Sequence, residues 1–232
     1  MAFYKFQTLL YFDVVLMELA GRGQRIDEPF YNSIDDAAVD LSNTIAYEIC
    51  ENDDYYIFGH SMGALLAFEV YYKLRERRIK PPKHIFFSGR IPPQILFRER
   101  NIYLSSDDDD DDAFINRVSQ FGGISDDFKN DEVKAIFLPI LRADFKILDA
   151  YVYREKKEKI ECDLSVLYAD DDFSTPYTDL EKWVVHAGGK MKFCKFHGGH
   201  FFVNTSQTRI SEYILNVVKA DRKQKSQENI LI

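Results

Sequence analysis

One short stretch, Gly59-His60-Ser61-Met62-Gly63, constrains the fold of this chain more than any other. It joins an apolar run, Tyr55–Gly59, to a segment of strong helix formers, Ala64–Ala67, and so predicts a buried strand, a tight turn and a helix. A serine at the apex of such a turn is typical of a nucleophile elbow, which holds the hydroxyl clear of the sheet. We expect both glycines to be required, because neighbouring backbone passes close to them.

The Gly-x-Ser-x-Gly pattern alone is weak evidence, because it arises by chance in roughly one chain in ten of this length. The alternative is a glycine turn with no chemical role. Two further residues favour the functional interpretation. Asp172 follows a predicted strand, Leu164–Tyr168, and His200 follows a pair of glycines on a predicted exposed loop. Serine, acid and histidine in this order are typical of the α/β-hydrolases.

Four spaced segments resemble signatures of the type II thioesterases, the discrete editing enzymes that accompany nonribosomal peptide and polyketide synthetases. These segments are Ala20–Arg25, Gly59–Glu69, Leu138–Phe145 and Gly198–Phe202. The resemblance extends from about Phe3 to Val218, and Ala20 stands where that family commonly has proline. It implies a single α/β-hydrolase domain over residues 1–232, with a mostly parallel sheet flanked by helices.

The resemblance also implies a catalytic role for each of the three residues, serine, acid and histidine. Ser61 would be the nucleophile, His200 the general base, and Asp172 the acid that orients the base. The backbone amide of Met62, directly after the nucleophile, would donate a hydrogen bond to the oxyanion.

Two of these assignments have competitors nearby in the chain. His197 precedes the glycine pair, but the family places the base after it. At the acid, the family pattern is a glycine, two variable residues and then an aspartate. Ala169 stands at the glycine position, which leads to Asp172 and leaves Asp171 as a reserve.

The remaining histidines are expected to be structural. His60 adjoins the serine and is expected to pack behind the elbow. His84 and His186 are expected to have no part in the chemistry.

The resemblance implies a substrate as well. The family acts on acyl or aminoacyl thioesters carried by the phosphopantetheine arm of an acyl or peptidyl carrier protein, and no cofactor is needed beyond the arm that this partner brings. Two other classes stay open. One is a general carboxylesterase or acyl transferase of the same fold, and the other is a catalytically impaired module that only binds a carrier.

The composition argues against several other functions. The formal net charge is −8, of which six charges come from Asp107–Asp112, and there is no basic patch that would indicate nucleic-acid binding. No run reaches the roughly 18 apolar residues of a membrane span, and no Cys/His spacing indicates a metal site. Three widely spaced cysteines, without a recognisable signal peptide, predict free thiols in the cytoplasm.

From residue 90 to 158 the strand signals disappear and helical patterns dominate, which predicts a helical insertion within the domain. In the family, this insertion is a mobile lid over the active site. Its aspartate run is expected to be a solvated loop that leads into a helix, with contact to a basic partner as the alternative. We expect Arg142 and Asp144 to form an ion pair at the base of the lid. Arg22 and Arg25 are expected on a solvated turn, with phosphate binding as the alternative.

The N-terminal part departs from the family pattern. Residues 2–10 resemble the family's first helix, and residues 13–19 are mostly apolar and predict a buried strand. In the family, a further strand and a glycine-rich loop precede that helix and supply the second oxyanion donor, whereas the first glycine here is Gly21. We therefore expect this N-terminal strand and oxyanion loop to be missing, with the strand's place between residues 13–19 and residues 55–59.

Overall fold

The computed structural model describes residues 13–50, 53–95, 110–122, 128 and 130–228; residues 2–10 and 107–109 lie outside this part. The described part contains one sheet of four parallel strands that lie side by side in chain order: β1 Tyr56–His60, β2 His84–Ser88, β3 Asp163–Ala169 and β4 Met191–Phe196. Because all four strands run in the same direction, their carboxyl ends meet at one edge, where ligand sites form in folds of this type.

Helices connect and flank these strands. The α-helices are α1 Ile34–Glu48, α2 Met62–Glu76, α3 Asp111–Ser119, α4 Asp131–Asp149, α5 Tyr177–Leu180, α6 Phe202–Thr205 and α7 Gln207–Glu228. Within the described ranges there are also two 3₁₀ helices, Gly23–Arg25 and Glu181–His186. Ser33 caps the start of α1, because its Oγ accepts a hydrogen bond from Asp36 N at 3.0 Å. Helix α4 continues through Pro139 without a break.

Helices cover both faces of the sheet. Ile85 and Phe87 of β2 pack with Phe68 of α2 on one face. Phe86, the residue between them, packs with Ile214 of α7 on the other face. This alternation buries β2 on both sides and confirms the predicted parallel sheet flanked by helices.

Residues 13–19 do not form a strand, so this prediction is wrong. Met17 and Leu19 pack against the apolar cluster between α1 and α2, whereas Val15 and Leu16 are 56% and 38% exposed. A strand needs a neighbour that pairs its backbone N–H and C=O groups. Within the described part of the chain, β1 pairs with β2 alone, and the segment does not join the sheet.

The regular elements in the described part of residues 90–158 are α3 and α4. They pack against each other through a small cluster formed by Phe114, Val118 and Leu138. The ring of Phe145 completes this contact, 5.7 Å from the ring of Phe114. The two helices therefore form a unit with its own apolar contact.

The described aspartates of the acidic run lead into α3, as expected, and two of them form its first turn. Asp110 caps the helix, because its Oδ1 accepts a hydrogen bond from Ala113 N at 2.7 Å. Asp111 and Asp112 lie in the first turn, where carboxylates stabilise the helix dipole. Both side chains are solvent-exposed, as the charge pattern predicts.

Arg142 and Asp144 do not pair with each other, so this expectation is also wrong. They are two positions apart on α4 and therefore project from different faces of the helix. Arg142 Nη2 contacts Asp111 Oδ1 at 2.9 Å. Asp144 instead receives both terminal nitrogens of Arg22, at 2.6 and 2.8 Å. Arg22 is thus bound to a carboxylate of the protein and is not the solvated residue that the sequence predicts.

Candidate active site

Ser61 lies in the turn between β1 and α2, at the carboxyl edge of the sheet. Its backbone has φ 55° and ψ −116°, and a non-glycine residue in such a conformation carries a strain of about 1–3 kcal/mol. A hydrogen bond from Ser61 N to Ser88 O, 2.8 Å long, attaches the turn to the end of β2. The sheet thus holds the serine in the strained turn that is typical of a nucleophile elbow.

The two glycines of the motif differ in their surroundings. A Cβ on Gly59 would lie 2.1 Å from Gly63 O, so a larger residue at Gly59 would collide with backbone. A Cβ on Gly63 would meet no described atom outside its own helix backbone within 4 Å. The expected close approach of backbone is therefore found at Gly59, whereas the same expectation for Gly63 is wrong.

His200 connects the serine to an acid. Its Nε2 lies 2.8 Å from Ser61 Oγ, and its Nδ1 lies 2.8 Å from Asp172 Oδ2. His200 is 5% exposed and Asp172 is 4% exposed, so the histidine is buried and not at an exposed loop tip. The structure therefore brings the three predicted residues into one continuous chain of hydrogen bonds.

A second set of bonds holds the Asp172 carboxylate. Ser174 N and Ser174 Oγ both donate to Asp172 Oδ1, at 3.0 and 2.6 Å. Burial alone would raise the pKa of Asp172, but its contacts with His200 and Ser174 outweigh burial and lower the pKa below its ordinary value. Asp172 is thus an anion at neutral pH. Sequence reasoning missed Ser174, although an aspartate that bonds the residue two positions later is a common local pattern.

His197 and Asp171, the alternatives to His200 and Asp172, do not contact Ser61 and make other contacts. The exposed His197 binds Asp170 Oδ2 through Nδ1 at 2.8 Å, and Asp170 Oδ1 accepts a hydrogen bond from Gly198 N at 3.1 Å. Asp171 is exposed, and its N donates to Gly198 O at 3.1 Å. These contacts tie together the two loops that carry the acid and the histidine of the site.

His60 lies beside the elbow, is partly exposed, and is among the residues that line the cavity next to Ser61. Its Nδ1 lies 3.0 Å from Ser88 Oγ, and its ring centre lies 5.2 Å from that of His200. Burial lowers the pKa of His60 to about 3, because a charged imidazole is unfavourable away from water. His60 is therefore neutral beside His200 at neutral pH.

The two other histidines, His84 and His186, are buried and bonded to neutral partners. His84 Nε2 lies 2.8 Å from Ser165 Oγ, and His186 Nε2 lies 2.6 Å from Gln94 Oε1. Burial lowers the pKa of each to about 4. Their surroundings are those of structural residues.

A cavity of about 280 Å³ is lined by Ser61 and His200. Helix α4 provides much of its apolar wall through Leu141, Phe145 and Leu148. Phe121, just after α3, also lines the cavity, and its ring centre lies 5.5 Å from that of His200. Sequence reasoning missed this wall, although residues spaced by three and four positions share one face of a helix.

Two charged residues, Arg90 and Asp144, also line the cavity. Arg90 follows β2 directly after Gly89, and its carbonyl oxygen accepts a hydrogen bond from Trp183 Nε1 at 3.0 Å. Burial lowers the pKa of Arg90 to about 10, which leaves the guanidinium charged at neutral pH. Sequence reasoning missed Arg90, because no local pattern marks it.

Among the residues that the structure describes, no helix is long and apolar enough to cross a membrane. Across the same ranges, no group of three or more histidine, cysteine, aspartate or glutamate side chains could hold a metal ion.

Comparison with known proteins links this arrangement to a family. Residues 2–218 match the family model described as a thioesterase domain. The gramicidin S biosynthesis protein GrsT of Aneurinibacillus migulanus is 32% identical over 164 residues, which cover 70% of this chain and 62% of GrsT. The chain therefore spans less than two thirds of the length of this relative.

Two solved structures share the fold closely. ClbQ from the colibactin NRPS/PKS pathway is 28% identical with a TM-score of 0.84, over 94% of this chain and 91% of that one. RedJ, a thioesterase from the prodiginine biosynthetic pathway in Streptomyces coelicolor, is 29% identical with a TM-score of 0.81, over 93% and 80% of the two chains. The chain therefore belongs to the thioesterase family of α/β-hydrolases, as its resemblance to the type II thioesterases predicts.

Proposed function

We propose that this chain hydrolyses acyl or aminoacyl thioesters on the phosphopantetheine arm of acyl or peptidyl carrier proteins, as an editing enzyme of nonribosomal peptide or polyketide synthesis. The observation that carries the proposal is the hydrogen-bonded series Ser61–His200–Asp172 at the wall of an apolar cavity. An apolar cavity suits an acyl chain, and a serine, histidine and acid bonded in this way suit acyl transfer to water.

Acylation begins at Ser61, because a serine hydroxyl is a weak nucleophile until a base takes its proton. His200 Nε2, 2.8 Å away, accepts that proton as Ser61 Oγ attacks the thioester carbonyl carbon. The tetrahedral intermediate collapses and the C–S bond breaks. The proton on His200 passes to the departing sulfur, which leaves as a thiol on the arm of the carrier.

Deacylation repeats these steps with water. His200 takes a proton from a water molecule whose oxygen attacks the carbonyl carbon of the acyl-serine. The bond between that carbon and Ser61 Oγ then breaks, and His200 returns the proton to the serine. In both steps, the Asp172 carboxylate orients His200 through Nδ1 and stabilises its charged form.

Met62 is proposed as an oxyanion donor. It is the first residue of α2, where backbone N–H groups have no partner within the helix and the helix dipole favours negative charge. Its amide follows the nucleophile directly, which is the usual position of one oxyanion donor in this fold.

Residues 90–158 are proposed to act as a lid within the single domain of residues 1–232. Their described helices support this role, because α4 provides much of the wall of the cavity and Val118 of α3, which packs against α4, also lines it. The phosphopantetheine arm would reach Ser61 along this wall. The steps above use no cofactor other than the arm itself.

The test compares one acyl group on a carrier protein with the same group on a small thiol, N-acetylcysteamine. We expect the carrier-bound thioester to have a kcat/KM at least about tenfold higher, because binding energy from the remote carrier lowers the barrier. Equal values would contradict a carrier-specific enzyme. Faster hydrolysis of the matching oxygen ester would favour a carboxylesterase, and carrier binding without hydrolysis would favour an impaired binding module.

A further inference from the structure

The charge on the wall of the cavity bears on which acyl groups can enter it. Among the described lining residues, Asp144 is the only carboxylate and Arg90 the only guanidinium. Because much of the remaining wall is apolar, these charges act more strongly than they would in water. An acyl group with an ammonium would be attracted by Asp144 and repelled by Arg90.

Asp144 is, however, already bound by Arg22, which is not among the lining residues. Arg22 Nη1 lies 2.8 Å from Asp144 Oδ2, and Nη2 lies 2.6 Å from Oδ1, so both carboxylate oxygens are engaged. The two side chains are 23% and 17% exposed, so solvent screens them only in part. Two-point contacts between guanidinium and carboxylate are among the strongest side-chain hydrogen bonds.

The loop that carries Arg22 is held by further contacts. Gly21 and Gly23 have φ angles of 79° and 53°, which shape the turn on either side of Arg22. Arg25 Nη1 binds Asp40 Oδ2 of α1 at 2.7 Å, so Arg25 is also in an ion pair, on a turn whose neighbouring residues Gly23 and Gln24 are exposed as expected. These features place the guanidinium of Arg22 against α4, 122 residues further along the chain.

Arg90 adds positive charge to another part of the wall. Burial lowers its pKa to about 10, the nearby Asp149 carboxylate partly offsets that effect, and the guanidinium remains protonated at neutral pH. Asp149 is the last residue of α4 and is not among the lining residues. The described wall therefore contains one guanidinium, that of Arg90, and one carboxylate, which Arg22 binds through both oxygens.

We infer that Arg22 determines the class of acyl group that the site accepts: by binding Asp144, it makes the cavity select neutral acyl groups against those that carry an ammonium. The inference rests on the proposed function and makes it more specific, because it favours acyl over aminoacyl thioesters. Without Arg22, the carboxylate of Asp144 would be available to a cation inside the cavity.

Three N-acetylcysteamine thioesters of equal chain length test this inference: hexanoyl, norleucyl and ω-aminohexanoyl. The first is neutral, and the others carry an ammonium beside the carbonyl or at the far end. Rates are corrected with the Ser61→Ala protein, which removes background hydrolysis. We expect the kcat/KM of the natural chain for hexanoyl to exceed that for at least one ammonium substrate by about tenfold or more.

The decisive variant is Arg22→Met, which removes the cation and keeps much of its length. Here the preference for hexanoyl over that ammonium substrate should fall by about tenfold, because Asp144 can now attract the cation. Asp144→Asn should not show this fall in preference, and neither should the double variant that combines Arg22→Met with Asp144→Asn. Lys73→Met, which breaks the ion pair with Asp35 between α2 and α1 and touches neither the loop nor the cavity, is the matched control and should leave the preference unchanged.

Equal kcat/KM values for the three substrates in the natural chain would overturn the inference. So would equal changes in preference for Arg22→Met and Asp144→Asn, because a purely structural ion pair predicts that result. Arg22→Gln repeats the test if the methionine variant does not fold. If the natural chain hydrolyses none of the three, nor a carrier-bound acyl group, the proposed function itself is contradicted.

Discussion

Two segments shape the same cavity by different physical means. The Ser61 turn is held by backbone, because β1 pairs along its length with β2 and Ser61 N bonds Ser88 O. The Arg22 loop follows residues 13–19, which are not part of the sheet, and side-chain ion pairs hold it in place. The position of the nucleophile should therefore tolerate most single side-chain changes, whereas the charge of the cavity depends on individual contacts.

The largest effect is expected at Asp172, the acid that binds His200 at the carboxyl edge of the sheet. Asp172→Asn should lower kcat by about 10³–10⁴, because an amide can neither fix the histidine tautomer nor stabilise its charged form. Asp171→Asn, at an exposed neighbouring position, should change kcat little. Steady-state hydrolysis of one acyl thioester by both variants measures this difference. The reverse ranking would move the assignment to Asp171.

The next effect separates the two glycines of the elbow by their influence on stability. Gly59→Ala should lower the free energy of unfolding by about 3 kcal/mol or more, because its Cβ would lie 2.1 Å from a backbone oxygen. Gly63→Ala should raise it by up to about 1 kcal/mol, because the site is open and alanine favours a helix. Denaturant unfolding of both variants provides the measurement, and equal losses would contradict the open site at Gly63.

A smaller, pH-dependent effect comes from the histidines of the sheet region. The pKa values of His60, His84 and His186 are about 3, 4 and 4, below the ordinary value of 6.5, so the unfolded chain binds protons first as the pH falls. Their contribution to stability is complete above pH 6.5 and is lost as the pH falls towards 4.

His84→Gln should therefore reduce the slope of unfolding free energy against pH in that range. The expected reduction is about 1.4 kcal/mol per pH unit, which corresponds to one proton. Denaturant titrations at several pH values between 4 and 6.5 give the slope. An unchanged slope would mean that His84 is not kept neutral by burial.

The smallest effect is expected in the segment that is not part of the sheet. Val15→Thr and Leu16→Gln should each change the free energy of unfolding by less than about 0.5 kcal/mol, because both side chains are substantially exposed. Met17→Ala, where the side chain packs against α1 and α2, is the control that should cost more. Losses of the same size at all three positions would show that the segment is buried as a strand would be.

The difference between the Ser61 turn and the segment around Arg22 also explains which features could be predicted from the sequence. The elbow was predictable because strand, turn and helix signals are local, and the order of Ser61, Asp172 and His200 added a strong constraint. Residues 13–19 were wrongly predicted as a strand. Their composition is apolar enough, but a strand also needs a pairing partner, which local composition does not reveal. The partner of Asp144 was missed because Arg22 is 122 residues away in the chain.

The central claim is that Ser61 carries a covalent acyl group during thioester hydrolysis. Rapid quenching of a hexanoyl thioester reaction, followed by mass spectrometry of the protein and its peptides, measures this directly. We predict a hexanoyl adduct on Ser61 in the natural chain, and in Ser61→Ala no adduct, loss of hydrolysis by several orders of magnitude and an unchanged unfolding temperature. Hydrolysis by Ser61→Ala at the rate of the natural chain, or an adduct on another residue, would contradict the account.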